Sequence, residues 1–127
     1  VSEWSTKHSG PAIFSETQTL GFLEKVTSEK IQQSLILWVK EISDWSKDKA
    51  YLVGHIKVFV EGLENLWLSS TGRSINIKHS QGWSEWTADM VTLNVTAIVF
   101  GTSKKVLEEV AQERLKACFN FGTELYK

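Results

Sequence analysis

Hydrophobic and polar positions alternate most cleanly in Val91-Thr-Leu-Asn-Val-Thr-Ala-Ile-Val-Phe100. Strand side chains point to opposite faces in turn, so Val91, Leu93, Val95, Ala97 and Val99 form a core face. Thr92, Asn94 and Thr96 face away, joined by Ile98 and Phe100. Tyr51 to Glu61 reads as a second strand of the same kind. Leu52, Ile56, Val58 and Val60 share one side of it, with Gly54 between them. Val53, His55, Lys57, Phe59 and Glu61 share the other. Residues 12–19 alternate more roughly and form an earlier strand.

Helical spacing separates these strands. Ile31, Leu35, Trp38, Ile42 and Trp45 recur every three or four residues on one face of a helix capped by Thr27 or Ser28. Its length of about five turns corresponds to roughly 27 Å. Leu37 and Val39 lie off this stripe and broaden it. A second helix over 103–118 carries Val106, Leu107, Val110, Ala111, Leu115 and Cys118 on its apolar side. Gly62 to Asn65 reads as a hairpin connection into a strand at 66–71, and Gly72-Arg73 as a bulge or bend before extended residues 74–78. Residues 79–88 have no period and are expected to be a loop. Its Trp83 and Trp86 are either partner contacts or folded onto the core. The apolar tail from Phe119 packs or adds a short edge.

The predicted order is β-α-β-β-β-α, with residues 1–11 as a loose arm or linker end and 12–127 as one domain. This order gives an α+β two-layer sandwich of ferredoxin-like kind, with a mostly antiparallel sheet and both helices on one face. The other sheet face is bare and carries His55, Lys57, Phe59, Thr92, Asn94 and Thr96.

Composition narrows the chemistry. Of 127 residues, 14 are basic and 15 acidic. Such balance, with no basic stripe, argues against general nucleic-acid binding. No apolar run is long enough to span a membrane, and the first residues show no signal-peptide h-region, so neither feature is expected. The single Cys118 cannot form an internal disulfide, which favours a reducing, cytoplasmic setting. The only methionine is Met90, so either a tag was removed or the chain is a piece of a longer protein.

His55 and Lys57, two residues apart on one strand, could bind an anion or move a proton, and Arg73 could add a second positive charge. The plainer reading is a solvated sheet face. His8, His55, His79 and Cys118 show no metal-ligand spacing, so no metal site is expected. No serine sits in a nucleophile elbow. Gly101-Thr-Ser-Lys104 joins a strand to a helix as phosphate loops do, but lacks their longer glycine loop. It reads as a turn with Thr102 or Ser103 as helix cap.

Ala12-Ile-Phe-Ser-Glu-Thr17, the helix after it and Leu52-Val-Gly-His-Ile-Lys-Val58 together resemble the C-terminal domain of CobW-type GTPases, proteins of cobalamin synthesis and metal delivery. In that resemblance Lys57 matches the family's strand lysine and Phe14-Ser15 its first-strand pattern. The strand around Leu93-Asn-Val95 and the helix 103–118 match its closing half. The family's phosphate loop and Cys-x-Cys-Cys motif do not occur in this chain. The resemblance implies a non-catalytic interaction domain with no cofactor of its own. Its partner would be a GTPase domain, a client protein or a second copy. On that reading Phe59, Thr92, Asn94, Thr96, Trp83 and Trp86 form the interaction face. The alternative is a small homo-oligomeric enzyme or ligand-binding protein using the His55/Lys57 face.

Overall fold

Strand β1 (Pro11–Thr27) leads into helix α1 (Ser28–Asp48), followed by β2 (Leu52–Glu61), β3 (Leu66–Ser70), β4 (Ile75–His79), β5 (Thr87–Phe100), α2 (Lys104–Cys118) and β6 (Thr123–Tyr126). This is the order in a computed structural model, which describes residues 10–119 and 123–126. The six strands form one sheet in the order β4-β3-β2-β5-β1-β6, with every pair antiparallel. β1 and β2 therefore run parallel with β5 between them, and β5 and β6 run parallel with β1 between them. Two split β-α-β crossovers interlock in this way, which is the ferredoxin-like arrangement. The β3–β4 hairpin extends it past β2.

The expected antiparallel α+β sandwich is observed, with more strand than the sequence indicates. β1 runs to Thr27 rather than ending at residue 19. Its register against β5 shifts between Gly21 and Val26, where four residues of β1 stand against one of β5. Leu20, Gly21 and Phe22 are all buried, which hides the alternation of a strand. Residues 1–9 of the expected arm lie outside the described residues, and Pro11 already belongs to β1. Thr71 to Ser74 is a hairpin turn between β3 and β4 rather than a bulge in one strand, with Gly72 at φ 97°.

The core lies between the helices and the sheet. Ile31, Leu35, Trp38 and Ile42 of α1 meet Ile56, Val58 and Val60 of β2 and Leu93, Val95 and Ala97 of β5, all essentially without exposure. Thr27 caps α1 by accepting from the Lys30 amide at 3.2 Å, and Ser103 caps α2 by accepting from Val106 at 3.2 Å. Such caps satisfy amides that have no partner inside the helix. α2 turns Leu107, Ala111, Leu115 and Cys118 inward, whereas Val106 stays exposed.

Two expectations about side-chain direction are corrected. Val53 is buried and Leu52 is 67% exposed, the reverse of the alternation read from the sequence. Val53 pairs with Val99 and His55 with Ile98, so Gly54 is an extra residue in β2. This bulge reverses the faces on its N-terminal side. Glycine suits the position because a Cβ there would stand 3.0 Å from the Phe100 ring and 3.2 Å from Ile98 Cγ2.

The second correction concerns Trp83. It is 1% exposed and part of the core, and its indole donates to Gln32 Oε1 at 2.9 Å. Trp86 packs against the same core, its ring tilted at 51° to Trp83. The loop is tied down by Glu64, whose Oε1 accepts from Ser80 Oγ at 2.7 Å and from the Gly82 amide at 2.9 Å. Neither tryptophan belongs to the bare sheet face.

Candidate binding face on the open side of the sheet

Strand register sorts the outward side chains into rows. At one end Leu52 faces Phe100, and beside them Ile13, Ile98 and His55 lie in register. The next row crosses Ser15, Thr96, Lys57, Ser69 and Asn76, and the one after it Thr17, Asn94, Phe59, Trp67 and Lys78. Thr19, Thr92 and Glu61 follow.

Hydroxyl and amide groups stitch the β1–β5 side of this face. Thr17 Oγ1 donates to Asn94 Oδ1 at 2.8 Å, and the Ser15 and Thr96 hydroxyls lie 3.3 Å apart. Cross-strand pairs of this type stabilise a sheet without burial. They also hold Asn94 and Thr96 in fixed positions. The expected grouping of Thr92, Asn94 and Thr96 with Phe59 on one face is therefore observed.

The β2–β4 side differs in kind. Phe59 and Trp67 stack with centroids 5.3 Å apart and planes 14° from parallel. Trp67 remains 43% exposed. The pair lies in a hollow of about 1050 Å³ whose lining includes Lys57, Lys78, Asn76, Asn94 and Thr96. Lys57, Lys78 and His79 give it basic character, and no carboxylate among the described residues lines it. Beyond the hollow, Ile13 at 48%, Leu52 and Phe100 at 38% form an exposed apolar corner. Large side chains that stay partly open beside fixed polar groups make a surface suited to contact.

Of the three residues expected to hold an anion, only Lys57 lines the hollow. His55 stands in the row nearer the apolar corner, and Arg73 is exposed in the β3–β4 turn. Sequence reading missed Trp67 and Lys78. Their signal was available in the alternation Leu66-Trp-Leu and Ile77-Lys, once 66–70 and 75–79 are paired as a hairpin. Among the described residues, no three of His, Cys, Asp and Glu come together as a metal site.

Cys118 does not take part. Burial pushes its thiol up to about 12, with the nearby Glu41 carboxylate adding to the effect and Arg114 opposing it. Its Sγ lies 3.7 Å from Glu41 Oε1 on the helix side of the molecule. No described helix is long and apolar enough to cross a membrane.

The fold defines a ferredoxin-like α+β domain with an added hairpin and a bare, partly apolar sheet face. No protein-family profile matches the chain, and no curated protein matches it. Among solved structures it is similar to the Zn(II)-bound YjiA GTPase from E. coli, at 10% identity and a TM-score of 0.42. A Zn(II)-bound triple mutant of the YjiA GTPase gives the same values. In both, the match takes in 80% of this chain and 29% of the GTPase chain.

Proposed function

We propose that this chain is a non-catalytic interaction domain of the kind found at the C-terminus of CobW-type GTPases, and that its open sheet face holds a protein partner. The observation that carries this reading is the exposure of Trp67, Leu52, Ile13 and Phe100 on one face, in and beside a hollow that, among the described residues, is lined by lysines and no carboxylate. A face built only for water gains nothing by exposing Trp67 and Leu52. Contact surfaces combine aromatic anchors with a polar rim in this way. The basic lining favours a partner that presents acidic groups around an apolar anchor. The residues that carry the CobW resemblance, Phe14-Ser15 and Lys57, lie on strands that build this same sheet.

The test is a titration of the chain with a CobW-type GTPase domain, read by calorimetry in GTP and in GDP. The expected result is binding that falls at least about tenfold in the Leu52→Ser/Trp67→Ala double variant, as for loss of hot-spot contacts. Undiminished binding by the double variant would remove the face from the interaction. Dimerisation of the chain alone, abolished by the same substitutions, would make the partner a second copy.

A further inference from the structure

We propose, taking the protein-binding role of the open face as given, that its partner docks by adding an antiparallel strand to β4, and that this strand alternates acidic with apolar side chains. β4 ends the sheet on its side. It pairs with β3, and among the described residues nothing pairs with its other edge. The direction of its backbone groups follows from one bond just past its end. The Ser80 amide donates to the Asn65 carbonyl at 3.0 Å. In an antiparallel ladder, bonded and non-bonded pairs alternate. Asn65 and Ser80 stand next to the pair Leu66–His79, so Trp67–Lys78 and Ser69–Asn76 are the bonded pairs between β3 and β4. Ile75, Ile77 and His79 therefore turn their N–H and C=O groups to the open edge. No described residue takes these three donors and three acceptors. A free edge of this kind is a template for another strand.

The side chains of β4 define what that strand carries. Asn76 and Lys78 point to the open face, and Ile75 and Ile77 to the other. Lys78 lies opposite Trp67, is exposed, and joins no ion pair among the described residues. Lys57 adds charge to the same hollow, and no carboxylate among the described residues lines it. Glu64, at the far end of the hairpin, is engaged by Ser80 and Gly82. A carboxylate is thus the best match for an incoming residue beside Lys78. Ile77 is 42% exposed, and the residues opposite it and Ile75 are best matched by apolar side chains. A second copy of β4 fits less well. Its Ile75-Asn-Ile-Lys-His79 would bring no negative charge to a basic edge.

The experiment is an amide NMR titration of the full chain with a capped seven-residue peptide that alternates glutamate and valine. Saturable shifts and slowed exchange are expected at the Ile75, Ile77 and His79 amides. A lysine–valine peptide should bind at least about tenfold more weakly. In antiparallel pairing the residue opposite Ile77 shares its face, so the valine amides turn toward β4 and the glutamate amides away. N-methylation of the valines should abolish binding, and N-methylation of the glutamates should spare it. Ile77→Pro removes an edge donor without touching a bond to β3, and should weaken binding about fivefold or more. Lys78→Glu, at an exposed position, should weaken it several-fold at an unchanged melting temperature, and stands as the test if proline disturbs the hairpin. Equal loss from both N-methylated peptides, shifts centred away from β4, or self-association through β4 that excludes the peptide would overturn the proposal. So would a CobW-type GTPase domain that binds the Ile77→Pro and Lys78→Glu variants as it binds wild type, and the protein-binding role of the face would then stand without strand addition. Peptide capture at β4 that is indifferent to Leu52→Ser/Trp67→Ala, with no GTPase domain bound, would keep β4 as a strand acceptor and remove the wider face.

Discussion

The Trp38 indole of α1 donates to the Ala111 carbonyl of α2 at 3.0 Å, in a region closed to water. The two helices are joined there by a polar contact as well as by packing. A buried donor of this kind must be satisfied, and the ring around it fills the centre of the core. Trp38→Phe removes the donor and leaves space. It is expected to cost about 1–3 kcal/mol of stability, measured by urea unfolding followed by circular dichroism.

Gly54→Val tests the β2 bulge. The new side chain would begin 3.0 Å from the Phe100 ring and 3.3 Å from the Ile98 carbonyl oxygen. Phe100 is partly exposed and can move, but the backbone carbonyl cannot. A loss of about 1–3 kcal/mol is expected, with Gly54→Ala milder. A melting temperature unchanged in both variants would show that the bulge tolerates a side chain.

Ala50 takes φ 60° in the turn after α1, a conformation that L-residues adopt at a cost. Ala50→Gly relieves that cost but frees the unfolded chain. The net expectation is a gain of up to about 1 kcal/mol, seen as a raised urea midpoint with an unchanged slope.

The Cys118 thiol predicts a pH dependence of stability. Its pKa is raised from 9.0 to about 12 in the folded protein. The stability associated with the protonated thiol is therefore fully present below pH 9.0 and is lost as pH rises toward 12. Wild-type protein should lose more stability between pH 8 and pH 10.5 than Cys118→Ala does. The difference between the two unfolding curves isolates this group from lysines and tyrosines. Disulfide-exchange reagents at pH 8 should label Cys118 slowly until urea unfolds the chain.

Phe59 and Val95 separate the open sheet face from the core. Val95 is 1% exposed, and Val95→Ala should cost about 1–3 kcal/mol through the cavity it leaves. Phe59 is half-buried on the other face, and Phe59→Ala should cost about 0.5–1.5 kcal/mol from the lost ring pair. Equal losses in thermal melts would place Phe59 in the core.

The inward set Val91 to Val99 and the α1 stripe from Ile31 to Ile42 were legible because each repeats one period over several turns or pleats. Periodicity fails where the backbone changes phase. Gly54 adds one residue, and Leu52 and Val53 exchange faces. At Leu20 to Phe22 consecutive burial hides a strand that continues to Thr27. Trp83 was ambiguous because its direction depends on Glu64 reaching Ser80 and Gly82, a contact between segments that no local pattern encodes. The site was partly legible. Lys57, Phe59, Asn94 and Thr96 share a face by alternation alone, but Trp67 and Lys78 join them only through a hairpin that looked like one interrupted strand.

The β3–β4 hairpin lies outside the two interlocked crossovers, and this divides labour within the chain. Leu66 and Leu68 anchor it to the core. Trp67, Ser69, Asn76 and Lys78 point to the opposite side and meet no helix. In β3 the buried Leu66, Leu68 and Ser70 thus alternate with Trp67 and Ser69 on the open face, whereas no residue of β4 is buried. On the proposed function, substitution at Trp67 and Ser69 would change what the face holds while Leu66 and Leu68 keep the scaffold as it is. Relatives of this domain should accordingly diverge most on the outward half of β3 and β4 and least at Leu66 and Leu68.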